Sequence, residues 1–206
     1  MRQVSRSAVF ALLAYAMLFA AAAQSPAAVK ASAAFEAMVP VLRNPRCMNC
    51  HSRGDFPRQG DDSHPHTMQV RRGPDGQGVN AVQCSTCHQD RNTIGLHTPP
   101  GAPEWRLPSP AMPMIWEGLT DGQLCELLKD PNQNGHRSVQ QIVEHMSTPL
   151  VLWGWHPGEG RTPIPMPFSE FLARVKDWAA NGAACPTSHG ALSHPSQSGF
   201  LAVESK

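Results

Sequence analysis

Apolar positions recur with helical spacing in four stretches of this chain, and they predict four helices. Over residues 27–43, Ala34, Ala37, Met38, Val41 and Leu42 share one face, and Pro40 marks a kink or the last turn. Thr120 with Gln123 forms a capping box ahead of Leu124, Leu127 and Leu128, and Asp130-Pro131 stops that helix. Ser138 with Gln141 repeats the device ahead of Ile142, Val143 and Met146, with Val139 opening the helix. After Pro167 the inward residues are Phe168, Phe171, Leu172, Val175 and Trp178, and Asn181-Gly182 ends the run.

Between these stretches the pattern disappears. Residues 52–83 have no apolar period and hold five glycines and three prolines, which predicts one long loop. Residues 89–118 carry so many prolines that no regular helix can form. Trp105 and Trp116 in this coil are expected to face a flat cofactor or the core. Trp153-Gly154-Trp155-His156-Pro157-Gly158-Glu159-Gly160-Arg161 reads as a turn-rich aromatic loop, for packing or for covering a cofactor edge. The expected class is therefore mainly α with extensive coil.

A fifth apolar run, Ala8 to Phe19, follows Arg2 and Arg6 and precedes Ala21-Ala22-Ala23. This is the layout of a secretory signal peptide over residues 1–23, cleaved before Gln24. The run is short for a bilayer span, so no stable membrane span is expected after cleavage. Export by the general secretory route to a bacterial periplasm follows as the expected localisation. Residues 24–186 then form one domain and 187–206 a polar, flexible tail. The 20 prolines and 16 glycines agree with abundant coil, and a formal net charge of +1 gives no basic face for nucleic acid.

Six cysteines divide into two groups. Four lie in Cys47-Met48-Asn49-Cys50-His51 and Cys84-Ser85-Thr86-Cys87-His88. Each of these reads C-x-x-C-H, the attachment signature of c-type haem. Two thiols three positions apart reach the two vinyl groups of one porphyrin, and the following imidazole meets the iron. Cys47, Cys50 and His51 are expected to hold one haem c, and Cys84, Cys87 and His88 a second. A four-cysteine zinc site and a redox dithiol use the same C-x-x-C spacing, but neither needs a histidine after both pairs. The leftover Cys125 and Cys185 are expected to form a disulfide in an oxidising compartment, or else to be two unrelated buried thiols.

The opposite side of each iron decides function, because a filled side favours electron transfer and an open one small-molecule chemistry. His145, on an amphipathic helix, is the first candidate for a second metal ligand, and His66 in the inter-motif loop the next. His64 differs from His66 by two positions; Met68, His97 and His156 are further alternatives. Met112 and Met114, in a proline-held coil, are thioether options more suited to packing. Arg71 and Arg72 either pair with haem propionates or form a solvated charge pair.

The two C-x-x-C-H motifs resemble those of di-haem c-type cytochromes. Further stretches are similar to the small exported cytochromes named as subunits of isoquinoline 1-oxidoreductase-type molybdenum hydroxylases. They are His66 to Gly73, Pro99 to Trp105, Leu150 to Trp155 and Gly182 to Pro186. The resemblance implies few helices wrapped around two covalently attached haems, with histidine at both His66 and His145 as axial ligands. The chain is then expected to carry single electrons between a redox enzyme, such as a molybdenum hydroxylase, and another cytochrome or an oxidase. The competing expectation is a di-haem enzyme, a peroxidase or small-molecule reductase, with one open haem.

Overall fold

The computed structural model describes residues 24–187, so the expected signal peptide and all but the first residue of the expected tail lie outside the described residues. The first helix, α1, spans Pro26–Leu42. Ser25 caps it by accepting from the Ala28 amide, and Pro26 occupies a first-turn position where its missing N–H costs nothing. Ala31, Ala34, Phe35, Met38, Val41 and Leu42 are buried along one face. Pro40 falls in the last turn without ending the helix. The bond it forfeits is that to Glu36, and both residues lie on the solvent face.

That buried face lies against α6, Phe168–Ala180, whose Phe171, Val175 and Trp178 point back at it. Phe35 and Trp178 meet with ring centroids 5.8 Å apart. The end of α6 is a Schellman closure. Gly182, at φ +88°, donates to Ala179, and Ala183 donates to Trp178. Two shorter helices complete the core, α3 at Asp121–Lys129 and α4 at Val139–His145. Both expected capping boxes are formed, Thr120 with Gln123 and Ser138 with Gln141. Two single turns, α2 (Pro45–Met48) and α5 (Pro149–Leu152), bring the count among the described residues to six. None of the six is long and apolar enough to cross a membrane.

Cys125 on α3 and Cys185 beyond α6 are joined by a disulfide, with Cα atoms 5.5 Å apart across 60 residues of sequence. This bond fastens α3 to the α1–α6 pair, and in the loop-entropy account a closure of that length is worth about 4 kcal/mol.

The other part of the molecule, residues 49–118, is built differently. The segment expected to be one structureless loop contains two minimal antiparallel hairpins. In one, β1 (Arg58–Gln59) pairs with β2 (His64–Pro65); in the other, β3 (Gly78–Val79) pairs with β4 (Val82–Gln83). Two-residue strands are too short to leave an alternating pattern, which is why the sequence does not announce them. Residues 89–118 are coil, as the prolines require.

Between Leu42 and Trp116 the only buried apolar side chains are Ala102 and Leu107, whereas Met68, Ile94 and Leu96 are 77%, 92% and 71% exposed. A stretch of this length with almost no apolar core of its own cannot offset its ordering entropy by burial. Polar ties hold it in place instead. Arg43, at the end of α1, donates to the carbonyls of Trp116 and Leu119 and pairs with Asp121. The Trp116 amide donates to the carbonyl of His51, and the Leu107 amide to that of Gly76.

Candidate functional site

The two C-x-x-C-H segments adopt the same backbone geometry. Cys47 and Met48 close the turn α2, which Asn44 caps through the Arg46 amide. The amides of Cys50 and His51 both return to the Cys47 carbonyl at 3.2 Å. In the second motif a 3-10 turn covers Cys84–Thr86, and the amides of Cys87 and His88 return to the Cys84 carbonyl. One tight turn therefore places both thiols and the imidazole on one side of the chain, as positions i, i+3 and i+4 require. All four motif thiols are free.

The imidazoles are oriented in matching ways. His51 Nδ1 lies 2.9 Å from the Met114 carbonyl oxygen, and His88 Nδ1 lies 2.7 Å from that of Pro100. A carbonyl only accepts, so Nδ1 carries the proton and donates in both rings. Nε2 is left with its lone pair, the tautomer of a metal-binding histidine whose other nitrogen is held by a carbonyl. Each ring also lies flat on a tryptophan. His51 stacks on Trp116 with centroids 3.7 Å apart and planes at 3°, and His88 on Trp105 at 4.6 Å and 7°.

Burial disfavours the charged form of both imidazoles. Desolvation takes His51 down to about 4 against the opposing Met114 hydrogen bond, with the charges of His145 and Arg72 adding to it. Desolvation also lowers His88, with further contributions from His66 and Arg161. The first pair of thiols is pushed the other way, Cys47 to about 12 by burial and then by Cys50, and Cys50 to about 11 by burial and then by Cys84. Among the described residues no three His, Cys, Asp or Glu side chains converge as a single ion would require. The two C-x-x-C pairs therefore do not assemble into one four-cysteine site.

The second-ligand candidates separate by position. His66 stands beside the second motif, its ring centroid 6.1 Å from that of His88 and its plane at 68°. Its Nδ1 donates to the carbonyl of Thr67, so its Nε2 is also left with a lone pair. His145, the last residue of α4, is half-buried and close enough to His51 for its charge to be felt there. Burial, then the charge of Arg137, lowers it to about 4.

His64 has both ring nitrogens engaged on the exposed hairpin, Nδ1 with Asp62 at 2.6 Å and Nε2 with Gln59 at 3.0 Å. His97 and His156 are exposed, and Met68 stands in solvent at φ +66°. Met112 accepts from the Gly135 amide, and Met114 contributes its carbonyl to His51.

Arg71 and Arg72 do not act as a pair. Arg71 is exposed, with its guanidinium 5.8 Å from the centre of the Phe56 ring. Arg72 is buried, which rules out a solvated charge, and it donates to the carbonyls of Pro108 and Gly54. It acts as a strut joining three coil segments close to Cys50 and His51.

Sequence reasoning overlooked Asn92 and Arg46, and did not foresee which rings the tryptophans of the aromatic loop meet. Asn92 accepts from the Gly101 amide and from Trp153 Nε1 and donates to the His156 carbonyl, so it fastens the coil to the aromatic loop. Trp153 meets Trp105 edge-on at 4.9 Å, while Trp155 packs on Phe168 and Phe171. Arg46, directly before Cys47, is buried and ion-paired with Asp61. Nothing in residue type or spacing marks these contacts, because each spans a wide separation along the chain or depends on burial.

The first motif is short of polar partners. Of the five buried side-chain atoms without a hydrogen-bond partner among the described residues, four lie around it, Arg46 Nε, Asn49 Oδ1, Ser52 Oγ and Trp116 Nε1, and the fifth is Trp178 Nε1 in the helical core. Left unmet, each costs about 1–3 kcal/mol. Their concentration around Cys47–His51 fits a site completed by a group with a polar edge.

No known protein family, no curated protein and no solved structure matches the chain.

Proposed function

We propose that this chain is an exported di-haem c-type cytochrome that carries single electrons. The observation that carries the reading is the paired histidine geometry. Both C-x-x-C-H imidazoles donate Nδ1–H to a backbone carbonyl, stack on a tryptophan and keep a bare Nε2. The core-less lobe around both motifs supports it, because a covalently held flat apolar group supplies the surface that the coil lacks.

In this reading Cys47 and Cys50, and likewise Cys84 and Cys87, become thioether anchors. His51 and His88 bind through Nε2, and the carbonyls of Met114 and Pro100 fix the tautomer and raise ligand basicity. His66 would join His88 in holding the second group, and His145 would join His51 in holding the first. Each haem, when bound, supplies an iron that takes up one electron and gives it back. The chain would hold those ligands in place and cover the cofactors with Trp105, Trp116 and the coil. The donor class is a redox enzyme of the same compartment, of which a molybdenum hydroxylase is one kind. The acceptor class is another cytochrome or an oxidase.

The test is the mass and spectrum of protein made in a host that attaches c-type haem. We expect a mature chain heavier by two haems, a low-spin six-coordinate spectrum for both, and no response to carbon monoxide or peroxide. A colourless product ends the reading. A high-spin haem that binds those molecules replaces the carrier by an enzyme with an open site.

A further inference from the structure

Arg72 stands between the two motifs and is tied to the surroundings of both. Its amide donates to the Asp55 carbonyl at 2.9 Å, and one guanidinium nitrogen donates to the Gly54 carbonyl at 3.3 Å. Gly54 lies three residues past His51. The other terminal nitrogen donates to the Pro108 carbonyl. That carbonyl lies against Gly76, where an added Cβ would sit 3.3 Å from its oxygen. The Gly76 carbonyl in turn faces Cys84 Sγ at 3.9 Å. The Arg72 carbonyl accepts from the Gly78 amide, and the Gln77 carbonyl accepts from the Cys84 amide. Direct contacts thus join this one residue to the segment that follows the first motif and to the hairpin that leads into the second.

The guanidinium is taken out of water, with Arg72 only 2% exposed. Both of its contacts are to neutral carbonyls. Asp55 is the carboxylate whose charge reaches it, and Asp55 is exposed, so water weakens that pairing. Burial works against the cation, yet an arginine keeps its proton. A neutral amide side chain could tie two carbonyls, so the tie alone does not account for a charge that is costly to bury. A fixed charge in such a place acts on its neighbours far more strongly than one in water. The charge of Arg72 is felt at Cys50 and His51, and Cys50 also feels Cys84.

Resting on the di-haem reading, we propose that Arg72 is a shared cation that raises the reduction potential of both haems. A ferric haem carries one more positive charge than a ferrous one, so a buried guanidinium beside both motifs disfavours the ferric state of each. Arg71, its neighbour, is exposed, and solvent screens its charge.

Holoprotein carrying Arg72→Gln, and separately Arg72→Lys, is compared with wild type by redox titration and absorption spectroscopy. Glutamine keeps an amide donor for the carbonyls and loses the charge. In Arg72→Gln both midpoint potentials fall, each by roughly tenfold in the ferric-to-ferrous ratio at a fixed applied potential, and the low-spin bands stay. In Arg72→Lys both potentials match wild type while the lysine is charged. They fall together as it loses its proton between about pH 7 and about pH 11, a step that wild type lacks. A residue that only tied the coil together would not move the potentials with its charge. If the glutamine variant does not fold, the lysine step alone decides. Unmoved potentials in Arg72→Gln, or the lack of a common step in Arg72→Lys, overturn the inference and leave the di-haem reading intact. A fall at one haem alone also overturns it, because the cation is then not shared. A wild-type protein without haem removes the parent reading and this inference together.

Discussion

The imidazole of His66 meets that of His88 edge-on, with ring centroids 6.1 Å apart and planes at 68°, although 22 positions of sequence separate them. Under the proposed function, His66→Ala should convert one of the two haems from low-spin to high-spin and let it bind carbon monoxide. Roughly half of the haem absorbance should respond. His64→Ala is the control and should be silent, because both of its ring nitrogens are already held by Asp62 and Gln59. An unchanged absorption spectrum for His66→Ala would sink the pairing.

His145→Ala should affect the other haem. His145 ends α4 and lies near His51, whereas His66 lies near His88. The two single variants should therefore each open a different haem, and the double variant both. Paramagnetic resonance of the ferric proteins distinguishes the two signals. If both single variants alter the same signal, the assignment of one histidine to each motif is wrong.

Trp116 couples the candidate site to the helical core. It is 5% exposed, stacks on His51 and accepts from Arg43 through its carbonyl. Trp116→Ala should cost about 3–5 kcal/mol, within the range for deleting a buried aromatic side chain. Trp116→Phe should cost less, since a stacked ring remains. Guanidinium unfolding of the holoprotein measures both. Equal losses for the two variants would mean that the ring face contributes nothing beyond filling space.

Two glycines with nearly the same dihedral should behave very differently. Gly182, at φ +88°, has open space where a side chain would go. Its replacement by alanine should cost only the left-handed backbone penalty, about 1 kcal/mol. Gly76, at φ +86°, would place a Cβ 2.1 Å from the Leu107 carbonyl oxygen. Gly76→Ala must push away the coil that carries Trp105, and with it the support of His88. We expect a loss above about 3 kcal/mol and a disturbed second haem. Urea unfolding and the absorption spectrum check both points, and similar losses would contradict the packing.

What the sequence discloses and what it hides divide by range. Thr120 with Gln123 and Ser138 with Gln141 are contacts over three residues, so residue type alone predicts them. The motif turns are equally local, since Cys47 to His51 is one backbone turn. The disulfide spans 60 residues, yet it is legible because only two cysteines are left over. The Trp116–His51 and Trp105–His88 stacks are not legible, because in an aperiodic coil no rule says which aromatic ring folds back on which imidazole. For Arg72 the sequence leaves a propionate partner and a solvated charge equally open, and only the closing of three coil segments around it, which buries it, removes the second.

Acid should reveal the Asp61 clamp. Partial burial would raise the carboxyl, but the Thr162 hydroxyl and amide, then Arg46 and Arg161, outweigh it and hold it below the usual carboxylate range. A group depressed on folding adds stability that is present above its unfolded value of about 4, and it loses that stability as pH falls through the folded value. The side chain is 47% exposed, so solvent screening keeps the contribution below about 1 kcal/mol. Asp62 and Asp130 are also lowered, through His64 and Gln133 first, but they shift wild type and variant alike. Urea midpoints of wild type and Asp61→Asn should therefore differ most near neutrality and converge as pH falls below the usual carboxylate range. Curves that stay parallel from pH 7 to pH 3 would show that Asp61 contributes no acid-sensitive stability, and that the clamp between Arg46 and Thr162 does not hold in solution.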